Sequence, residues 1–143
     1  VSEISFFVAG EPAPKGSTKS FPYHKKGGGL GVSTTNANPR TKDWELRVAY
    51  AAQQVQDGRP LMTGPVAVSL MFALSRPKSL PKRETEPIKK KNDLDKLVRA
   101  LLDGLTGTIF EDDGQVIVIT ATKSFARPDN PPGCSIVLKE VVP

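Results

Sequence analysis

The sequence predicts an α+β fold: a single domain with a mixed sheet of about four strands and two main helices, in the order β-α-β-α-β-β. Three observations carry that expectation. Between Asp93 and Thr106 the apolar residues Leu94, Leu97, Val98, Leu101, Leu102 and Leu105 recur at helical spacing. Stretches on either side, Pro65–Ser75 and Gln115–Phe125, read as strands, with small and β-branched residues set against larger apolar ones. No repeat, linker or shift of composition divides the 143 residues, a length at which one domain can bury a real core.

Each element can be justified in turn. Ser2–Ala9 sets Ile4, Phe6 and Val8 against Ser5 and Phe7 and reads as a first strand. Residues 10–40 are rich in Gly, Pro, Ser, Thr, Lys and Asn, with Gly27, Gly28 and Gly29 near the middle. A structureless connection of about thirty residues is unusual in a compact domain and is generally functional or disordered. The expectation here is a long, basic, mobile arm whose Lys15, Lys19, Lys25 and Lys26 reach for phosphates. The glycine triplet is no phosphate loop, because no Gly-Lys-Ser/Thr follows it onto a helix.

Thr41 opens a helix that carries Trp44, Val48, Ala51, Ala52 and Val55 on one face and stops at Asp57-Gly58. Pro65–Ser75 is the second strand, with Val66, Val68, Leu70, Phe72 and Leu74 alternating against smaller residues. Residues 76–91 form a Pro-broken basic connector (Arg76, Lys78, Lys82, Arg83, Lys89, Lys90, Lys91), read as a rim that contacts phosphate. The leucine helix follows, from about Asp93 to Thr106. The turn Glu111-Asp112-Asp113-Gly114 leads into the third strand, Gln115–Phe125. Cys134–Val141 is the last strand, expected to form a hairpin with the third.

Charge and rare residues narrow the function. A net charge of +5 and a pI near 9.4 favour polyanionic partners. A single cysteine, Cys134, excludes an intrachain disulfide and a cysteine metal cluster. The one histidine, His24, stands in an unrelated context, so neither a Ser-His-Asp nor a Cys-His arrangement is in view. Nothing in the chain has the length of a membrane span or the organisation of a signal peptide, and the expected location is the cytoplasm.

The acids carry the chemistry. Asp93 and Asp95 stand at the mouth of the leucine helix, with Glu111, Asp112 and Asp113 after it. Acids at a helix start ordinarily cap free N–H groups and complement the dipole, which explains one or two of them. The later run beside a lysine cluster is left over. Several carboxylates converging there suit a hard cation such as Mg²⁺, with Mn²⁺ as a substitute; such an ion keeps water and phosphate among its ligands. The expectation is that the turn folds Asp112 and Asp113 back beside Asp93 and Asp95. A calcium loop fits poorly, because Leu97 and Val98 occupy positions that need an oxygen ligand and a glycine.

The string DLDKLVRALLDGLTG-TIFEDDGQV resembles the RusA family of Holliday-junction resolvases, common in bacteriophages and prophages. Asp93 and Asp95 match its first two acids, and Asp113, with Asp112 beside it, matches the third. Gly10–Phe21 (GEPAPKGSTKSF) resembles the family's opening, and Lys123 matches a lysine after the third strand. Lys96 stands where many members have Asn, and Arg99 where Lys is common. Arg keeps the charge but does not readily release a proton.

The resemblance implies a metal-dependent endodeoxyribonuclease that makes paired symmetric cuts in four-way DNA junctions as a homodimer. Asp93, Asp95, Asp112 and Asp113 would ligate metal, and Arg99 would steady the phosphate. Lys96 and Lys123 would join the other basic residues on DNA. Exposed apolar positions on the Thr41 helix or the first strand are candidates for the dimer surface. A nuclease acting on flaps or forks, and a non-catalytic basic DNA-binding module, remain alternatives.

Overall fold

The leucine spacing is realised as helix α2 (Leu94–Leu105), one of two helices in a computed structural model that describes residues 3–15, 18–36, 40–88 and 92–141, with side chains except at 18–23 and 32–36. Leu97, Ala100, Leu101 and Leu105 of α2 are fully buried and Leu102 nearly so. Burial of each leucine stabilises by about 1.5–3 kcal/mol, so this face holds the helix on the sheet. At the far end, the Thr106 N–H and hydroxyl both donate to the Leu102 carbonyl and stop the helix. Helix α1 (Arg40–Gln56) buries Trp44, Val48 and Ala52 against the same core, with Ala51 and Val55 packed at its margin.

Among the described residues the strands are β1 (Glu3–Ala9), β2 (Thr18–His24), β3 (Leu30–Asn36), β4 (Val66–Leu74), β5 (Val116–Phe125) and β6 (Gly133–Glu140). The main sheet is mixed and four-stranded, in the order β1-β6-β4-β5. Strands β4 and β5 are parallel, as a crossover through α2 requires, while β6 runs antiparallel to both β1 and β4. No helix among the described residues is long and apolar enough to cross a membrane.

Two expectations are corrected. Strand β6 does not form a hairpin with β5; it inserts between β1 and β4. Its alternating Cys134, Ile136 and Leu138 are fully buried, and the helices supply that cover at the centre of the sheet, not beyond its β5 edge. The second correction concerns residues 10–40. Strands β2 and β3 form an antiparallel hairpin, in register from Thr18↔Asn36 to His24↔Leu30. Gly27, Gly28 and Gly29, all at positive φ, make the reversal that side chains would disfavour.

The segment between β1 and the hairpin is a strap. Its Pro12, Ala13 and Pro14 are buried. Glu11 accepts hydrogen bonds from the Ser75 N–H and hydroxyl at the end of β4, and the Pro14 carbonyl accepts one from Thr41 Oγ1 on α1 at 2.6 Å. The Lys15 N–H then donates to the Lys96 carbonyl on α2. One short strap thus ties the sheet to both helices.

The helices meet at Gly104. A Cβ there would stand 2.8 Å from Val48 Cγ1 and 3.0 Å from the Glu45 carbonyl oxygen. Gly104→Ala gains about 1 kcal/mol of helix propensity but overpacks the helix crossing at a cost of about 1–3 kcal/mol. The expected outcome is a lower urea midpoint with an unchanged slope; a midpoint at or above wild type would show that the helices do not touch there.

Candidate functional site

The entrance of α2 presents two exposed carboxylates, Asp93 and Asp95. Asp93 is the N-cap residue by position, yet its side chain makes no capping hydrogen bond. It is about half exposed, with Lys96 Nζ 3.7 Å from its Oδ2, and Asp95 is exposed one position into the first turn. Side-chain capping therefore does not explain Asp93. Lys123 Nζ donates to the Asn92 carbonyl at 2.8 Å, which fixes the entrance of α2 to the end of β5. Arg99, one turn further, is exposed and has no hydrogen-bond or ion-pair partner among the described residues.

The later acids sit at the other end of the helix. Asp112 caps a 3-10 turn (Asp113–Gln115): its side chain accepts from the Gly114 N–H, and Gln115 Oε1 accepts from the N–H groups of Glu111 and Asp112. Gln115 Nε2 donates to the carbonyls of Met62 and Gly64, which anchors the whole turn. Asp113 is left exposed. Partial desolvation, then the hydrogen bond and charge of Asp112 and the charge of Asp103, raise its carboxyl above the usual 3.8. Glu111 is also exposed.

The expected convergence does not occur within one chain. At a rise of roughly 1.5 Å per residue, Asp93 and Asp103 stand about 15 Å apart, and Asp113 lies within electrostatic reach of Asp103. Strand β5 runs back along α2, so its first residues lie by the C-terminal end of the helix and Lys123 by the start. Among the described residues no group of three or more His, Cys, Asp or Glu is placed to share a metal ion. The turn that carries Asp112 and Asp113 reverses the chain at the wrong end of the helix to bring them onto Asp93 and Asp95.

Several expected DNA contacts already have structural partners. Lys15 Nζ is 3.0 Å from both Glu45 Oε1 and Asp103 Oδ2, and hydrogen bonding first to Asp103, then to Glu45, raises its pKa above 10.5. The Arg76 guanidinium lies over the Phe125 ring, 5.3 Å from its centroid, and donates to the carbonyls of Leu80, Pro81 and Glu84. It organises the connector. Lys25, Lys26, Lys82 and Arg83 are exposed, and Lys96 and Lys123 flank the α2 entrance. Lys89, Lys90, Lys91 and the Lys19 side chain lie outside the described residues. Burial pushes the Cys134 thiol up to about 12, so it is no nucleophile.

Sequence reasoning gave no role to Gln115 or Asp103. The one available signal for Asp103 was its place on a single helical face with Asp95 and Arg99.

The family model for the endodeoxyribonuclease RusA matches residues 10–138, nearly the whole chain. The chain belongs to the RusA family. A relative in Bacillus subtilis (strain 168), the uncharacterized protein YqaN, is 27% identical over 152 residues, with 96% of each chain covered. RusA membership implies an endonuclease of the kind that resolves Holliday junctions. The strap, the exposed acids at the α2 entrance and the turn anchored by Gln115 all fall within the matched region.

The Lys15 pairs can be tested directly. Lys15→Met should lower the unfolding free energy read from urea titration at pH 7 by about 1 kcal/mol or less, because the partners are partly exposed. Because the folded-state pKa of Lys15 is raised above 10.5, the wild-type advantage is fully present below pH 10.5 and is lost as pH rises beyond it through the higher folded-state pKa. Equal midpoints for the two proteins at pH 7 would show that the pairs contribute nothing.

Proposed function

We propose that this RusA-family chain is a Mg²⁺-dependent endonuclease that resolves four-way DNA junctions by paired symmetric cuts, with Mn²⁺ able to replace Mg²⁺. The observation that carries the reading is the α2 entrance: the exposed carboxylates of Asp93, which makes no capping bond, and Asp95, two lysines beside them, and, one turn on, Arg99, which has no partner among the described residues. Oxygen donors suit Mg²⁺, which needs only one or two protein carboxylates when water and phosphate complete its shell. Asp93 and Asp95 would hold it. Bound there, the ion would supply Lewis-acid stabilisation of phosphate and an activated water. The chain's own residues do the rest. Arg99 holds a phosphate oxygen as a fixed positive charge, and Lys123 keeps the entrance in place through Asn92.

Asp113 enters this site from a second copy. Strand β5 is an unpaired sheet edge on which Ile117, Val118 and Ile119 are 60%, 48% and 47% exposed. A long apolar edge strand is open to pairing with another chain. Antiparallel pairing of two β5 edges centred on Val118 would set Ile117 against Ile119 of the second copy. The same register sets Val116 of one copy opposite Thr120 of the other, so the turn carrying Asp113 lies toward the end of the second copy's β5, where Lys123 holds the α2 entrance with Asp93 and Asp95. Leu46 and Tyr50 on α1 and Phe7 on β1 are also exposed, but pairing through them offers no such completion. A two-fold dimer with two sites matches the near-twofold symmetry of a four-way junction.

A second reading rests on the separation of the acids in one chain. A basic DNA-binding module would bind junctions with steep salt dependence and cut nothing.

Incubation with a synthetic four-way junction and a matched linear duplex, with and without Mg²⁺, separates the readings. Paired symmetric nicks on the junction alone, only with Mg²⁺, are expected. Binding without nicks at any Mg²⁺ concentration would favour the module, and equal cutting of both substrates would leave a nuclease without junction selectivity. Val118→Lys, at a half-exposed edge position, should fold normally, sediment as a monomer and lose paired cutting. A monomeric variant that still cuts in pairs would remove the β5 edge from the site.

A further inference from the structure

The β2–β3 hairpin is the largest feature not absorbed by this site. From Pro12 to Lys42 the chain has no Asp or Glu, while it carries Lys15, Lys19, Lys25, Lys26, Arg40 and Lys42. The two strands pair along their full length and pack chiefly on each other. At the tip the Lys25 N–H donates to the Gly29 carbonyl and the Gly28 N–H to the Lys25 carbonyl. His24, Lys25, Lys26 and the three glycines are exposed, and Leu30 is 68% exposed. A Cβ on Gly27, Gly28 or Gly29 would meet nothing within 4 Å, so the tip stands clear of the rest of the protein.

We propose that this hairpin is a ribbon whose glycine tip enters the major groove of a duplex arm, with Lys25 and Lys26 on the phosphates at the groove's edge. The inference rests on the reading that branched DNA is the substrate, and it adds an attachment to an intact arm.

The dimensions select the groove. Seven-residue strands give a ribbon about 23 Å long, and strands roughly 4.8 Å apart with side chains make it about 10 Å across. A major groove about 12 Å wide admits a two-stranded ribbon; a minor groove about 6 Å wide does not. A tip of three glycines adds no side-chain bulk where the ribbon must penetrate. Charge selects the partner, because an acid-free ribbon on a chain of net charge +5 is repelled by a second copy and drawn to a polyanion.

Dimethyl sulfate reads both grooves, through guanine N7 in the major and adenine N3 in the minor. The experiment probes a four-way junction under saturating protein without divalent metal, so that binding is read apart from cutting. Wild type should protect guanine N7 within the arms. A variant with residues 25–29 replaced by Asn-Gly, a two-residue turn compatible with the paired strands, should lose that protection while the rest of the footprint remains. Lys25→Ala with Lys26→Ala should flatten the log–log salt dependence of binding by about 0.9 for each phosphate no longer neutralised. Identical N7 protection by wild type and the tip variant, protection of adenine N3 alone, an unchanged salt slope, or conversion of the tip variant from dimer to monomer would each overturn the ribbon. Failure of wild type to cut junctions with Mg²⁺, with N7 protection intact, would instead overturn the resolvase reading and leave the ribbon standing.

Discussion

The lengthwise packing of α2 against the sheet governs what this protein can do. Its leucine face is buried along the whole helix, from Leu97 to Leu105, so the helix can neither slide nor tilt without exposing several large side chains. Because β5 returns along α2, the acids before the helix and the acids after its turn are pinned at opposite ends of a rigid rod about 18 Å long. No side-chain rotation closes that gap. A chemistry that needs both sets of acids must therefore find the second set outside the chain, and the proposed dimer supplies it from the unpaired apolar β5 edge of the main sheet.

The local supports follow the same logic. Gln115 commits its whole amide to backbone: its oxygen takes two N–H groups of the acidic turn and its nitrogen reaches two carbonyls of the 62–64 segment. That leaves Asp113 projecting from a fixed base while Asp112 closes the turn. At the other end Lys123 holds the Asn92 carbonyl, so the backbone just before Asp93 is tied to β5. The strap from Gly10 to Lys15 fastens α1 and α2 together through Thr41, Lys96, Glu45 and Asp103. Positions are thus set largely by hydrogen bonds to backbone, and neither Asp95 nor Asp113 takes part in those anchoring bonds.

Much of the fold was legible because its signals are local. The period of Leu94, Leu97, Leu101 and Leu105 specifies a helix whatever surrounds it, and Asp93 and Thr106 fall at its caps. The alternation from Val66 to Leu74 likewise marks a strand. What escaped depends on partners that a linear reading does not see. The β2–β3 hairpin is built largely from Ser, Thr, Lys and Gly, whose composition reads as a loop. Strand β6 follows β5 in sequence, yet its buried Cys134, Ile136 and Leu138 need the cover at the middle of the sheet. The acids stand out in the sequence by type and spacing. They do not meet within one chain, because nothing in the residues says which end of the helix the turn lies beside. Lys15 and Arg76 look like DNA contacts by charge alone, and only the fold reveals Glu45, Asp103 and Phe125 next to them.

The most direct measurement mixes two inactive chains. Asp95→Asn and Asp113→Asn proteins, each purified, would be unfolded together, refolded and assayed on a four-way junction with Mg²⁺. If each site combines Asp93 and Asp95 of one copy with Asp113 of the other, a mixed dimer contains one site with all three acids, and single-strand nicking returns although neither protein alone cuts. If all three acids serve the same chain's site, every site in the mixture lacks one of them. Continued inactivity of a mixture shown to contain mixed dimers would contradict the shared site.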